Sequence, residues 1–484
     1  MPDALVVGAG HNGLVAAAYL ARAGLDVDVL ERRDVVGGAC VTEELWPGVR
    51  ASPGAYTLSL LRGRVIRELE LARHGLAVDV HEPYLFAPTD DGRRVVTWSD
   101  RARTAAQLAR DWSPADADAY AARSERWAAA AARARPLLLE PSDRERWLQA
   151  VGPDLLGGSI ADDLAAIPSE PVRVPFAIQG LIGTLAGPDD PGTAFVALYH
   201  DLGDATRPPG VWGFARGGMG AVTRALRAAA EAAGARVHTD APVERILVDE
   251  AERTVAGVVG EDGRALHAPV VLSNADPLRT AALAGLPRPQ GWRQDGPTVK
   301  VMLLLDGLPD FPAWPGAEPW QGTVDIGFTM ADLAAAAAAA RAGELPARPW
   351  IEAACQTAAD PTLAPVGRHV LSLFCQCFAP DVDADTAADA AIAHFARACP
   401  GLPDRIVDRL ALGPRELEAR FGLTGGHIFH GEMLGEQLLE RRFGPRRFGG
   451  VEGLYLAGSG AHPGGAVTGA PGYLAARAVL EDRR

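Results

Sequence analysis

Apolar and polar positions fall into short blocks along the chain. Ala4–Val7 is an apolar run of the length expected of a buried strand, cut off by Gly8-Ala9-Gly10-His11-Asn12-Gly13. Residues 14–23 carry an alanine-rich helical pattern that stops at Gly24, and a second apolar run, Val27–Leu30, ends on Glu31. Residues 84–88 and 95–98 read as short strands, followed by helix formers over 100–149 that include Trp112, Trp127 and Trp147 at helix-core spacing. Residues 176–185 and 195–200 are apolar enough to line a pocket. Further on, the pattern predicts a helix over 221–233, strands over 237–241, 243–248 and 270–274 with a hairpin turn at 261–264, and a strand over 298–305. It continues with a helix over 333–342, neighbouring strands over 350–356 and 369–378, a helix over 384–399, a strand over 453–457 and a final helix over 473–481. Thr468 is placed as the N-cap of that last helix, with Pro471 in its first turn.

The opening block is strand, glycine turn, helix, strand, acid. Gly8 permits a tight turn, Gly10 lets a pyrophosphate approach the backbone, and Gly13 lets the helix lie close to the sheet. The helix N-terminus presents unpaired N–H groups to phosphate, and Glu31 stands where a carboxylate accepts from a ribose hydroxyl. The alternative is a glycine-rich turn in some other α/β domain. Arg32 follows the acid, and then a second glycine pair, Gly37-Gly38-Ala39, arrives within one loop.

At 484 residues the chain exceeds one hydrophobic core, so two intertwined domains are expected. The net charge of −14 and the absence of a basic stripe argue against a nucleic-acid partner. None of the five cysteines forms a C-x-x-C, so no redox dithiol is expected; Cys375 and Cys377 alternate in an apolar run and are placed on one strand face. The first strand begins almost at once and no apolar stretch has spanning length, which predicts a cytosolic protein, with peripheral membrane contact and a homo-oligomer left open. The arginine-rich, alanine-rich composition is that of a G+C-rich, bacterial genome. Lys300 is the one lysine among 47 basic residues.

Several stretches together resemble the phytoene desaturase-like flavoproteins of the flavin amine oxidase superfamily, in the branch with desaturase-type carotenoid ketolases and pyridine nucleotide-disulphide oxidoreductase domain 2-like proteins. They are VVGAGHNGLVAAAYLARAG with ERRDVVGGA, GVWGFARGGMGAVTRAL, VLSNADP, LTGGHIFHGEM and GLYLAGSGAHPGGAVTGAPG. The resemblance implies FAD held by a Rossmann-like α/β domain of glutathione-reductase type, interleaved with an α+β substrate domain. The FAD domain would take residues 1–80, 210–290 and 425–484, and the substrate domain 81–209 and 291–424. It further implies that Gly8, Gly10, Asn12, Gly13, Glu31, Arg32, Gly37, Gly38 and Ala39 form the cofactor's cradle. Val243 would hold the adenine through its backbone, Asn274 would belong to the same site, and Gly458, Ser459, Thr468, Gly469 and Ala470 would form the flavin loop, whose helix N-terminus favours negative charge on reduced flavin.

No paired carboxylates, metal cluster or Ser-His-Asp arrangement is evident in the sequence. Lys300 sits mid-strand where the flavin amine oxidases carry a lysine that reaches a water beside the flavin; the alternative is an ordinary strand-edge lysine. His430 and His427 lie in GGHIFHG, and His462 in the flavin loop; His430 and His462 are candidates for proton transfer, against a purely structural role in glycine-rich turns. A single nucleotide fingerprint points to a flavin reduced by an organic substrate and reoxidised by oxygen or a quinone. The expected reaction is hydride abstraction from an apolar, polyene-like or secondary-metabolite molecule. The rivals are C–N dehydrogenation, a redox-neutral isomerase using reduced FAD, and a flavoprotein without catalysis.

Overall fold

The computed structural model describes residues 1–439 and 441–483. Strand β1 (Ala4–Val7), helix α1 (His11–Arg22) and strand β2 (Val27–Leu30) form the predicted opening unit, with Val6 opposite Val29 in a parallel pair. The helix starts three residues before the apolar pattern does, because the last residues of the glycine turn are already helical. Gly8 adopts φ +94°, and a Cβ on Gly13 would run into the carbonyl oxygen of Gly8. The strands Arg236–His238, Val271–Ser273 and Leu454–Leu456 complete a five-stranded parallel sheet in the order 454–456, 271–273, β1, β2, 236–238. Helices Gly220–Ala232 and Ala470–Asp482 flank α1, and all three bury their alanine-rich faces in one apolar cluster.

A seven-stranded mixed sheet stands beside this unit, in the order 406–412, 299–305, 369–376, 350–355, 323–326, 85–88, 94–97. Every pair in it is antiparallel except Thr323–Ile326 with Leu85–Pro88. A smaller antiparallel sheet contains the predicted hairpin, Thr254–Gly260 with Ala265–His267. The arrangement is α/β, a Rossmann-like unit joined to a substrate-side sheet with its helices.

Some expectations change. The helical run over 100–149 is three helices, Arg101–Asp111, Pro114–Ala134 and Arg144–Val151, because Ser113 caps a new start at Pro114 and Asp143 caps another. Trp127 and Trp147 pack in the helical core, as their spacing predicts. The predicted strand over 237–241 is Arg236–His238. Cys375 and Cys377 do not share a face. Cys377 turns out of the strand at φ +67° and packs in the helical cluster, while Cys375 packs in the cluster on the sheet's other side. All five cysteines are buried free thiols. The last helix begins at Ala470 with left-handed Gly469 as its N-cap; the Thr468 hydroxyl, one residue earlier than a side-chain cap, accepts from Ala470 N at 3.1 Å.

Candidate active site

One cavity of about 860 Å³ runs from the C-terminal ends of β1 and β2 to the seven-stranded sheet. Its first part is a nucleotide cradle. Gly8, Gly10, His11, Asn12, Glu31, Arg32, Gly37, Gly38, Ala39, Val243, Asn274 and Ser459 all stand on its wall. The N-terminus of α1 has Gly10 as its N-cap with no side-chain cap bond, so its first-turn N–H groups are left for a ligand, and the helix dipole makes the spot favourable to anions. Glu31 is buried; its two oxygens accept from Ala9 N at 2.8 Å and Arg33 N at 3.0 Å, which fixes the carboxylate on the wall with lone pairs to spare. Gly37 N donates to Ala9 O at 2.9 Å and locks the second glycine loop against the first. The Asn274 amide fills the space beside Gly10, with Nδ2 2.6 Å from where a Cβ would sit. Asn12 donates to Ser459 Oγ at 3.3 Å and keeps Oδ1, a buried atom, unpartnered. Arg32 lies on the wall and is tied to the carbonyls of Ala419 and Arg420, both at 3.0 Å.

Five cofactor candidates stand behind the wall. Gly13 packs helix on strand, and Gly458 packs against the backbone of Asn274 and Ala275. Thr468, Gly469 and Ala470 form the start of the last helix, while Ala466 and Val467 are the residues of that loop that reach the cavity.

The second part of the cavity is lined by aromatic and aliphatic side chains, among them Tyr120, Trp127, Phe176, Ile182 and Trp212. Trp127 thus belongs both to the helical core and to the wall. Lys300 lies on the same wall. Its Nζ donates to Ser372 Oγ at 2.7 Å and sits 3.8 Å from the centre of the Tyr56 ring, and burial pulls its pKa down to about 7. His430 is on the wall with φ +56° and an unpartnered Nδ1; burial lowers its pKa, and the nearby Asp276 carboxylate opposes that shift. His427 is off the wall, its Nδ1 accepting from Phe429 N at 3.2 Å. His462 is also off the wall. Burial pushes its pKa down to about 4, and both ring nitrogens are buried without a hydrogen-bond partner.

Two features escaped the sequence. Glu352 and Asp325 are cross-strand partners, a carboxyl pair of which Glu352 stands on the wall and Asp325 is buried behind it; 27 residues separate them in the chain, and only the strand register brings them together. Arg442 is buried and donates to the carbonyls of Phe429 at 2.7 Å, Glu432 at 3.2 Å, Gly431 at 3.4 Å and Ser459 at 2.5 Å. It ties the His430 segment to the flavin loop. Arg442→Met will cost on the order of 3 kcal/mol by stranding those carbonyls, seen as a lower urea midpoint; an unchanged midpoint would show the two loops hold without it.

The chain belongs to the flavin containing amine oxidoreductase family, whose model matches residues 13–307. It is 36% identical to pyridine nucleotide-disulfide oxidoreductase domain-containing protein 2 of Rattus norvegicus, over 99% of this chain and 93% of that one. It is 28% identical to the hydroxyneurosporene desaturase of Rhodobacter capsulatus, over 99% and 98%. Among solved structures, a triple mutant of putrescine oxidase superposes with a TM-score of 0.65 at 18% identity, over 100% and 99%.

The cofactor is FAD, and the protein is an FAD-dependent oxidoreductase. The cradle fits that group: an uncapped helix N-terminus, a backbone bared at Gly10, a fixed carboxylate at Glu31 and an orphaned amide oxygen on Asn12. Among the described residues, no group of three or more histidine, cysteine, aspartate or glutamate side chains could hold a metal ion, and no helix is long and apolar enough to cross a membrane.

Proposed function

We propose that this chain dehydrogenates a largely apolar organic molecule held in the second part of the cavity. The observation that carries this reading is the continuity of one cavity from the nucleotide cradle to an aromatic chamber, with the chain's one lysine on its wall. Bound FAD supplies the two-electron acceptor. The chain's own residues hold the substrate by apolar contact, exclude water and manage protons. Lys300, at a pKa of about 7, can hold or release one at neutral pH, and Ser372 fixes its ammonium in place. A hydrocarbon backbone is oxidised in the desaturase reading, and a C–N bond in the alternative that the family match favours. Electrons then pass to oxygen or a quinone.

Anaerobic stopped-flow recording of the flavin's visible band tests the reading. Polyenes, amines and NADPH are mixed in turn with the loaded protein. The expected result is bleaching by an organic compound and none by NADPH, since one nucleotide cradle is already committed to FAD. Bleaching by NADPH alone would overturn the proposal, and resistance to every compound and to dithionite would favour a flavoprotein without catalysis.

A further inference from the structure

A chamber built only for hydrocarbon has no use for ionisable groups, yet one row of the seven-stranded sheet carries several. Lys300 pairs with Phe374, Phe374 with Glu352, and Glu352 with Asp325, on four adjacent strands. Directly opposed residues of antiparallel strands point to the same face, and three of these four line the cavity. Asp325 lies on that face too, two residues beyond Thr323, which is itself on the wall.

The polar atoms of this row are not all accounted for. Glu352 is 9% exposed; one oxygen accepts from Tyr56 Oη at 2.5 Å, the other only a long bond from Gln179 Nε2 at 3.4 Å. Asp325 is 0% exposed, and neither of its carboxylate oxygens has a partner. Burial raises the pKa of both carboxyls, and the charge of Glu352 raises Asp325 further. Tyr56 comes from the loop on the nucleotide side, carries Lys300 Nζ over its ring and points its hydroxyl at Glu352, so it holds that carboxyl in one orientation. A buried carboxyl left short of partners is costly, and charged or neutral it keeps an oxygen that accepts from a donor.

We propose that Glu352, backed by Asp325, is the recognition point for a hydrogen-bond donor on an otherwise apolar substrate: a hydroxyl or an amine carried by a hydrophobic skeleton. The inference rests on the dehydrogenation reading and narrows its substrate class. Tyr56 occupies one oxygen of Glu352, and the weakly held second oxygen is the acceptor left for a ligand. Asp325 is a positioning residue that keeps the row polar behind it. An unfunctionalised polyene would leave the second oxygen of Glu352 with only its long bond from Gln179, whereas an alcohol or an amine donates to it.

The experiment compares three ligands of one shape, methylnaphthalene, naphthylmethanol and naphthylmethylamine, bound to the FAD-loaded protein under anaerobic conditions and followed by calorimetry and the flavin's visible spectrum. The alcohol or the amine is expected to bind about tenfold or more tighter than the hydrocarbon, the scale of one hydrogen bond to a charged group. Glu352→Leu should level the three affinities while flavin content stays at the wild-type value. Should that variant fail to load flavin, Glu352→Gln decides. It keeps an acceptor oxygen without the charge, so it should spare the alcohol and weaken the amine if the amine is the source. Equal binding of hydrocarbon and donor ligands, or a preference that survives Glu352→Leu, would overturn the inference and leave the dehydrogenation reading standing. Failure of all three ligands to bind, together with no bleaching by any organic compound, would end both.

Discussion

Gly13→Ala will yield no soluble, flavin-loaded protein, whereas Gly10→Ala will fold and lose its flavin. The two glycines lie three residues apart in one turn and do different work. A Cβ on Gly13 would meet the carbonyl oxygen of Gly8 and press on the Asn274 side chain at 3.2 Å. Backbone cannot step aside there, because Gly8 is held by its own N–H donating to Leu30 O at 2.8 Å. Helix α1 would have to lift off the sheet, and the apolar face it shares with the helices Gly220–Ala232 and Ala470–Asp482 would open. The loss exceeds what a domain of marginal stability tolerates, on the order of 4 kcal/mol or more. At Gly10 the nearest obstacle is the end of a side chain, Asn274 Nδ2, which can swing away, so folding survives. The new methyl instead stands where phosphate must meet the bared helix N-terminus. Soluble yield and the flavin-to-protein absorbance ratio read both outcomes. A flavin-loaded Gly13→Ala protein would show that the helix can retreat, and a flavin-loaded Gly10→Ala would show that the pyrophosphate lies elsewhere.

Lys300→Met will lower turnover by about a hundredfold or more and will make the protein more stable below neutral pH. Burial holds the Lys300 pKa at about 7, against 10.5 for a free lysine. Between those values the unfolded chain carries a proton that the folded protein does not, so the stability of the native protein rises with pH across that window. Below about pH 7 the ammonium is buried in full, at a cost on the order of 1.4 kcal/mol per unit of displacement. Methionine carries no charge to bury. The gain in melting temperature of Lys300→Met over wild type should therefore be greatest at pH 6 and shrink steadily toward pH 10. Lys300→Arg separates the two effects, since its guanidinium keeps the charge and cannot release it at neutral pH. If Lys300→Arg turns over like wild type with an unchanged flavin spectrum, the lysine has no part in the chemistry.

The opening unit was legible because every signal in it is local. The glycine turn, the apolar runs and the acid at the end of β2 all fall within residues 4–31, and the structure places them as the pattern predicts. Lys300 was legible for a different reason: in a chain so biased to arginine, one lysine is conspicuous by composition alone. What stayed hidden depends on register. Glu352 looks like any residue of an apolar strand until its pairing with Phe374 and Asp325 is known, and a single-residue slip would turn all of them away from the cavity. The position of Cys377 was misread because strand alternation was carried one residue past the point where the backbone turns left-handed. Arg442 is one arginine among many, and nothing near it in sequence marks the four carbonyls it gathers. His462 lies buried off the cavity wall, which a one-dimensional motif cannot express.

The order of strands in the parallel sheet has a consequence for synthesis. Its edge strand, Leu454–Leu456, and the helix that covers one side of α1, Ala470–Asp482, follow β1 by some 450 residues. A nascent chain must therefore carry an unclosed cradle, with one side of α1 bare, until that stretch has been made. A chain cut short before that helix leaves this side of α1 uncovered, so the helix acts as a seal on the cradle.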